Sequence, residues 1–210
     1  MSILDEIHKQ FSIPVLRETD EEKLYGLAKA LVEGGLKVLE ITLMSESAFK
    51  VIKRLSTDND IIVGAGTVLN QEQARKAMDA GAKFLVSPGL NEGAVVFARN
   101  NNIPFIPGVL TPTEIMQAVS LGCELVKIFP VTALGGTSYL KQLKGPFPKL
   151  NVMASGGVGL DDLRDYLEAG AFCVGTGSQL TQREAIKNED WKKIRELAKE
   201  YIFELNRLRR

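Results

Sequence analysis

One histidine, His8, stands in a chain of 210 residues. A catalytic triad or an imidazole-ligated metal needs such a ring beside other chemistry-bearing groups, and a lone one near the start of the chain offers neither. Cysteine is almost as scarce. Cys123 and Cys173 lie in apolar surroundings without a CxxC spacing, so they read as packing thiols of a reducing cytosol, not as a disulfide or metal site. An excess of either charge is missing too. The 26 Lys and Arg offset the 26 Asp and Glu, which leaves no basic surplus for nucleic acid or an anionic membrane. No apolar run reaches the ~18–20 residues that cross a bilayer, and the opening MSILDEIHKQ has no apolar leader core. A cytoplasmic protein without nucleic-acid or membrane partners is expected. No Pro/Ser-rich linker or low-complexity segment divides the chain, so a single domain over 1–210 is expected as well.

What the chain does have is alternation. Apolar runs of strand length alternate with amphipathic segments of helix length, the pattern of βα units on a parallel sheet. The runs are IPVLR (13–17), KVLEIT (37–42), IIVGAGT (61–67), KFLVSP (83–88), PFIPG (104–108), ELVKIFP (124–130), NVMASGG (151–157) and FCVGTGS (172–178). Eight such strands in ~200–250 residues predict an α/β fold of the (β/α)8 barrel type. An internal echo supports this: EGGLKVLE, DAGAKFLVS, SLGCELVKI and EAGAFCVGT each read as a helix end, a capping glycine and a strand. Gly34, Gly81, Gly122 and Gly170 are predicted to be left-handed caps, a conformation that costs glycine little. The echo marks strands two, four, six and eight, and places Glu40, Ser87, Lys127 and Thr176 toward strand C-termini, the end where barrel enzymes keep their chemistry.

Within LVKIFPV (125–131) a lysine interrupts an apolar strand. Side chains alternate across a strand, so Leu125, Lys127 and Phe129 share one face, as do Val38, Glu40 and Thr42 in strand two. With the more apolar faces on the helices, Lys127 and Glu40 both point into the barrel. Taking an ammonium out of water favours its neutral form, which is what Schiff-base formation with a carbonyl requires, and a nearby carboxylate can move the protons. A purely structural buried ion pair fits the same spacing.

Two glycine-bearing strand ends close the chain's pattern, ASGGVGLDDL (154–163) and VGTGSQL (174–180). Loops after strands seven and eight cradle phosphate in phosphate-binding barrels, with backbone N–H groups that glycine lets approach the oxygens and hydroxyls from Ser155 and Ser178. Ordinary tight turns are the bland alternative. Arg17 at the end of strand one and Thr67 at the end of strand three are candidate carboxylate binders. A rim ion pair of Arg17 with Glu18 or Asp20, and a helix-capping role for Thr67, compete with that reading, although Asn70 is the better cap.

Together EGGLKVLEITL, IVGAGTVLN, FLVSPGL, PGVLTPTE, LVKIFP, GPFP, SGGV and VGTGSQL, in this order from Ile13 to Leu180, resemble the KDPG/4-hydroxy-2-oxoglutarate aldolase family. The resemblance implies a (β/α)8 barrel, a homotrimer and no metal or organic cofactor. It also implies retro-aldol cleavage of a phosphorylated keto acid, 2-keto-3-deoxy-6-phosphogluconate, to pyruvate and glyceraldehyde 3-phosphate. On the matching positions it implies Lys127 as the Schiff-base lysine and Glu40 as general acid/base. Thr67 and Pro88 would then line the pyruvyl group, and Gly156, Gly157 and Ser178 the phosphate. Ser155 stands where gluconate enzymes tend to carry threonine, and its hydroxyl leans toward the gluconate substrate. Some members have a carboxylate-binding arginine where this chain has Met44; others carry one at the end of strand one, here Arg17. A phosphosugar isomerase or epimerase, or a non-catalytic barrel scaffold, are the competing readings.

Overall fold

Runs of Val, Ile and Leu too short for helices, each followed by a capped helix, set the architecture. The computed structural model describes residues 2–209. Nine strand segments all pair in parallel: β1 (Ser12–Leu16), β2 (Val38–Thr42), β3 (Ile62–Gly66), β4 (Leu85–Val86), β5 (Phe105–Ile106), β6 (Gly108–Val109), β7 (Leu125–Ile128), β8 (Asn151–Ser155) and β9 (Cys173–Thr176). Their order is β5-β4-β3-β2-β1-β9-β8-β7-β6. The two outermost segments are halves of one strand that meet at Pro107, so the ring is closed by the chain itself. Its first half bonds β4, while the Pro107 carbonyl and β6 bond β7. The result is the expected eight-stranded barrel, with the fifth strand shared between two ladders.

Helix α1 (Ile3–Gln10) precedes the barrel, and α2 (Glu21–Glu33), α3 (Glu46–Leu55), α4 (Gln71–Asp79), α5 (Glu92–Asn100) and α6 (Pro112–Ser120) follow successive strands. After them come α7 (Thr137–Lys144), α8 (Leu163–Glu168), α9 (Arg183–Lys187) and α10 (Trp191–Leu208). Side chains start these helices by accepting orphan N–H groups: Asp20 from Lys23, Asn70 from Gln73, Asn91 from Ala94, and Thr111 in a reciprocal box with Glu114 after which Pro112 opens α6. Asn70 therefore takes the capping role and leaves Thr67 out of it.

Strand alternation divides the apolar residues into two cores. Leu39, Ile41, Val63, Val126, Ile128 and Val152 face the helices, while Ile13, Val38, Phe84, Ile106, Leu125, Met153 and Cys173 fill the barrel. Ile7 of α1, fully buried, joins the inner core with Ile3 and Leu4 and stoppers the N-terminal end of the barrel. His8 is exposed, its Nδ1 2.8 Å from the Phe172 carbonyl. Trp191 docks α10 onto α2, where a Cβ on Gly26 would meet its ring at 2.8 Å.

One expectation needs correction. Gly81, Gly122 and Gly170 are left-handed, but Gly34 is right-handed at φ −79° and the left-handed residue is its neighbour Gly35 at φ +106°. Gly34 is small for another reason: a Cβ there would lie 2.3 Å from Ala198 Cβ of α10. The shift brings Glu40 into register with Lys127, each the fifth residue after its left-handed glycine, while Ser87 and Thr176 are the sixth and turn outward. Ser87 Oγ accepts from Gly89 N, and Thr176 Oγ1 pairs with Ser12 Oγ at 3.1 Å.

Because Ile7 fills the barrel floor, Ile7→Ala should cost ~2–5 kcal/mol. A lower urea midpoint with an unchanged denaturant slope is the expected readout.

Candidate active site

Around the closed ring β2 and β7 stand four ladders apart in either direction, so they face each other across the barrel axis. Their inward residues, Glu40 and Lys127, meet there. Nζ of Lys127 lies 3.8 Å from Glu40 Oε1, with side chains only 5% and 1% exposed. The ammonium also stands 5.2 Å from the centroid of the Phe129 ring, a second favourable contact for a buried cation. Glu40 Oε2 is buried and has no hydrogen-bond partner among the described residues. Below the pair, burial first and the Glu40 charge second push the Cys173 thiol far above the ordinary thiol range, so this sulfur is inert.

Space for the carboxylate comes from β3. A Cβ on Gly66 would lie 2.0 Å from Glu40 Oε1, so any side chain at this position would drive the carboxylate from its place. This residue was not anticipated, although inward glycines at 64 and 66 within an apolar strand are a visible sign that something large lies opposite. Beyond it, Thr67 is half-buried and holds φ +59°, a left-handed conformation uncommon for a residue with a branched Cβ. Pro88 sits on the neighbouring rim, where the Val68 N–H donates to the Val86 carbonyl at 3.1 Å and joins the ends of β3 and β4.

On the other side of the mouth are the glycine loops. Ser155 is buried at the end of β8, and Gly156 and Gly157 follow at φ +97° and +86°. Thr132 fixes this turn: its Oγ1 donates to the Gly156 carbonyl at 2.8 Å, and a Cβ on Gly157 would lie 2.5 Å from that hydroxyl. Gln179, beside Ser178, accepts from Leu160 N at 3.2 Å and ties the loop after β9 to the loop after β8. Neither Thr132 nor Gln179 carries a sequence signal, because each acts through a contact made across strands. Ser178 is exposed and shares a cavity of about 490 Å³ with Arg17 and Gly177.

The candidates thus form groups around the rim. Lys127 and Glu40 touch at the axis, Thr67 and Pro88 flank β3 and β4, and Ser155, Gly156 and Gly157 lie on one bound turn. Arg17, exposed at the end of β1, stands with Ser178, and Glu18 is turned instead to the Thr19 and Asp20 amides. Met44 is 57% exposed over the outer groove between α3 and α4. Among the described residues no three His, Cys, Asp or Glu side chains gather to hold a metal ion.

A (β/α)8 barrel with a lysine–carboxylate pair sunk in its C-terminal mouth is the class that the fold and the site define. A family model described as KDPG and KHG aldolase matches residues 3–197. A 2-dehydro-3-deoxy-phosphogluconate aldolase of Dickeya dadantii is 40% identical over 192 residues, covering 90% of both chains. Among solved structures, the 2-keto-3-deoxy-6-phosphogluconate aldolase of Zymomonas mobilis ZM4 with 3-phosphoglycerate superposes with a TM-score of 0.87 at 33% identity, over 95% of this chain and 94% of the other. KDPG aldolase from Legionella pneumophila, with pyruvate captured as a covalent carbinolamine, gives 0.84 at 37% identity over 90% and 92%. The chain belongs to the KDPG and KHG aldolase family, a family of carbon–carbon lyases.

Gly66→Ala should displace the Glu40 carboxylate and lower turnover by about 100-fold or more, as small misplacements of reacting groups do. Far-UV circular dichroism should remain that of the parent, separating a moved carboxylate from a lost fold.

Proposed function

We propose that the protein cleaves 2-keto-3-deoxy-6-phosphogluconate to pyruvate and glyceraldehyde 3-phosphate through a Schiff base on Lys127. The observation that carries this reading is the buried Lys127–Glu40 pair at 3.8 Å. A proton passed between these partners leaves a neutral amine, which attacks the C2 ketone to give a carbinolamine. Loss of water from it, assisted by Glu40, yields the protonated imine. Glu40 then takes the C4 hydroxyl proton through water as the C3–C4 bond breaks, and the bonding pair flows into the imine to form an enamine. Glyceraldehyde 3-phosphate departs as the aldehyde. Protonation of the enamine at C3 and hydrolysis of the pyruvyl imine return the free lysine. The carbinolamine named for the Legionella structure supports the same first step here.

Gly156, Gly157 and Ser178 bind the phosphate in this scheme, with Ser155 toward the sugar chain, where its hydroxyl favours the gluconate epimer. Thr67 and Pro88 line the pyruvyl group, and Arg17 takes its carboxylate in place of the residue at Met44. The 6-phosphogalactonate epimer and 4-hydroxy-2-oxoglutarate are further substrates to compare in a coupled assay. A homotrimer in the cytoplasm completes the reading, and sedimentation velocity measures the first of these.

Borohydride added with pyruvate should fix the reduced pyruvyl adduct on the peptide carrying Lys127, and Lys127→Met should abolish it. An intact, active enzyme that adds no such mass would remove the imine and favour an isomerase or epimerase instead. For Arg17→Ala, loss of a charge-assisted contact should raise the pyruvate concentration for half-maximal trapping by roughly 10- to 100-fold. An unchanged value would remove Arg17 from the carboxylate.

A further inference from the structure

The cavity that holds Ser178 carries far more positive charge than one phosphate group needs. Arg17 and Glu18 reach it from the end of β1, Lys23 from α2, and Arg183 and Lys187 from α9. Even with Arg17 set aside for the substrate carboxylate, three cations face one carboxylate there, in a chain whose formal net charge is zero. Glu18 forms no ion pair with them among the described residues; its Oε1 accepts from Thr19 N at 2.7 Å and Asp20 N at 3.0 Å, and its single charge leaves the cations in excess. Among the described residues none of the four forms an ion pair, although the next helices pair theirs, as Lys50 and Arg54 do with Glu21. Lys23 is held at the cavity by its contact with the Lys187 carbonyl at 3.4 Å, which joins α2 to α9. Like charges gathered around one hollow repel each other, and a bound polyanion relieves that cost. At about 490 Å³ the cavity falls within the ~300–1,000 Å³ range of small-molecule sites.

We propose that this cavity is a second anion subsite, which takes a small multiply charged phosphate compound such as pyrophosphate or a sugar bisphosphate. One phosphate of that ligand occupies the Ser178 position in competition with the substrate, and the other lies among Lys23, Arg183 and Lys187. The competition rests on the assignment of Ser178 to the substrate phosphate; the extra charge does not. Such a ligand restrains cleavage when phosphorylated compounds accumulate.

The test titrates inorganic phosphate and pyrophosphate calorimetrically and as inhibitors of cleavage, at fixed ionic strength. Pyrophosphate should bind ~10-fold or more tightly than phosphate, weaken steeply with added salt, and compete with substrate. In the Arg183→Gln/Lys187→Gln double variant that preference should shrink to about two-fold, with the substrate KM unchanged and the thermal midpoint checked for folding. Equal affinities in the parent, or a preference that survives in the folded double variant, would overturn the subsite. Tight pyrophosphate binding that is lost in the double variant but never competes with substrate would keep the subsite and remove Ser178 from the substrate phosphate.

Discussion

Two opposite charges, both nearly stripped of water, meet on the axis of a closed ring of strands, and the surrounding structure is shaped by the cost of holding them there. Burying either Lys127 or Glu40 alone would be prohibitive, and even as a pair their attraction must offset a large desolvation penalty. The 3.8 Å approach, the Phe129 ring beside the ammonium and the close packing against Gly66 make the arrangement tolerable. Replacing the pair with apolar residues of similar volume is the cheaper solution for stability in general. The pair, with Glu40 Oε2 lacking a hydrogen-bond partner among the described residues, therefore costs stability, and the proposed Schiff-base chemistry accounts for that cost.

The barrel separates an apolar plug from a polar mouth along its axis. Below the pair, Ile7, Ile13, Leu125 and Met153 form a dry plug closed by α1. Above it, the rim carries hydroxyls, glycine turns and cations in three separate sectors. The loops after β8 and β9 are held by Thr132 and Gln179, side chains that touch the backbone of the turns and lock their direction. The cationic cavity of Arg17, Lys23, Arg183 and Lys187 lies beside those loops, so the glycine-loop sector proposed to receive phosphate is continuous with a larger field of positive charge.

Much of this is legible in the sequence. All eight barrel strands were foreseen, because a buried parallel strand leaves a short apolar run and each helix leaves a cap. The inward direction of Lys127 and Glu40 followed from strand alternation. The difference is local and physical. Gly34 reads as the left-handed cap because two adjacent glycines look alike in sequence; one is small for α10, the other bends the chain. Ser87 and Thr176 do fall at strand C-terminal ends, but one residue further from their glycines than Glu40 and Lys127, and that offset turns a strand side chain to the opposite face.

The sequence by itself determined the period of the elements, the face on which each polar strand residue stands and the glycine-rich ends of the last two strands. These are properties of neighbours along the chain, written in spacing. Only the tertiary structure decided which faces meet: that β2 and β7 lie opposite, that Gly66 clears a place for a carboxylate from another strand, that Thr132 and Gln179 hold the turns, and that α2 and α9 gather cations scattered across 165 positions of sequence around one hollow. Closing a ring brings together residues far apart in the chain, and no local pattern encodes a contact whose two halves are set by the curvature of the whole barrel.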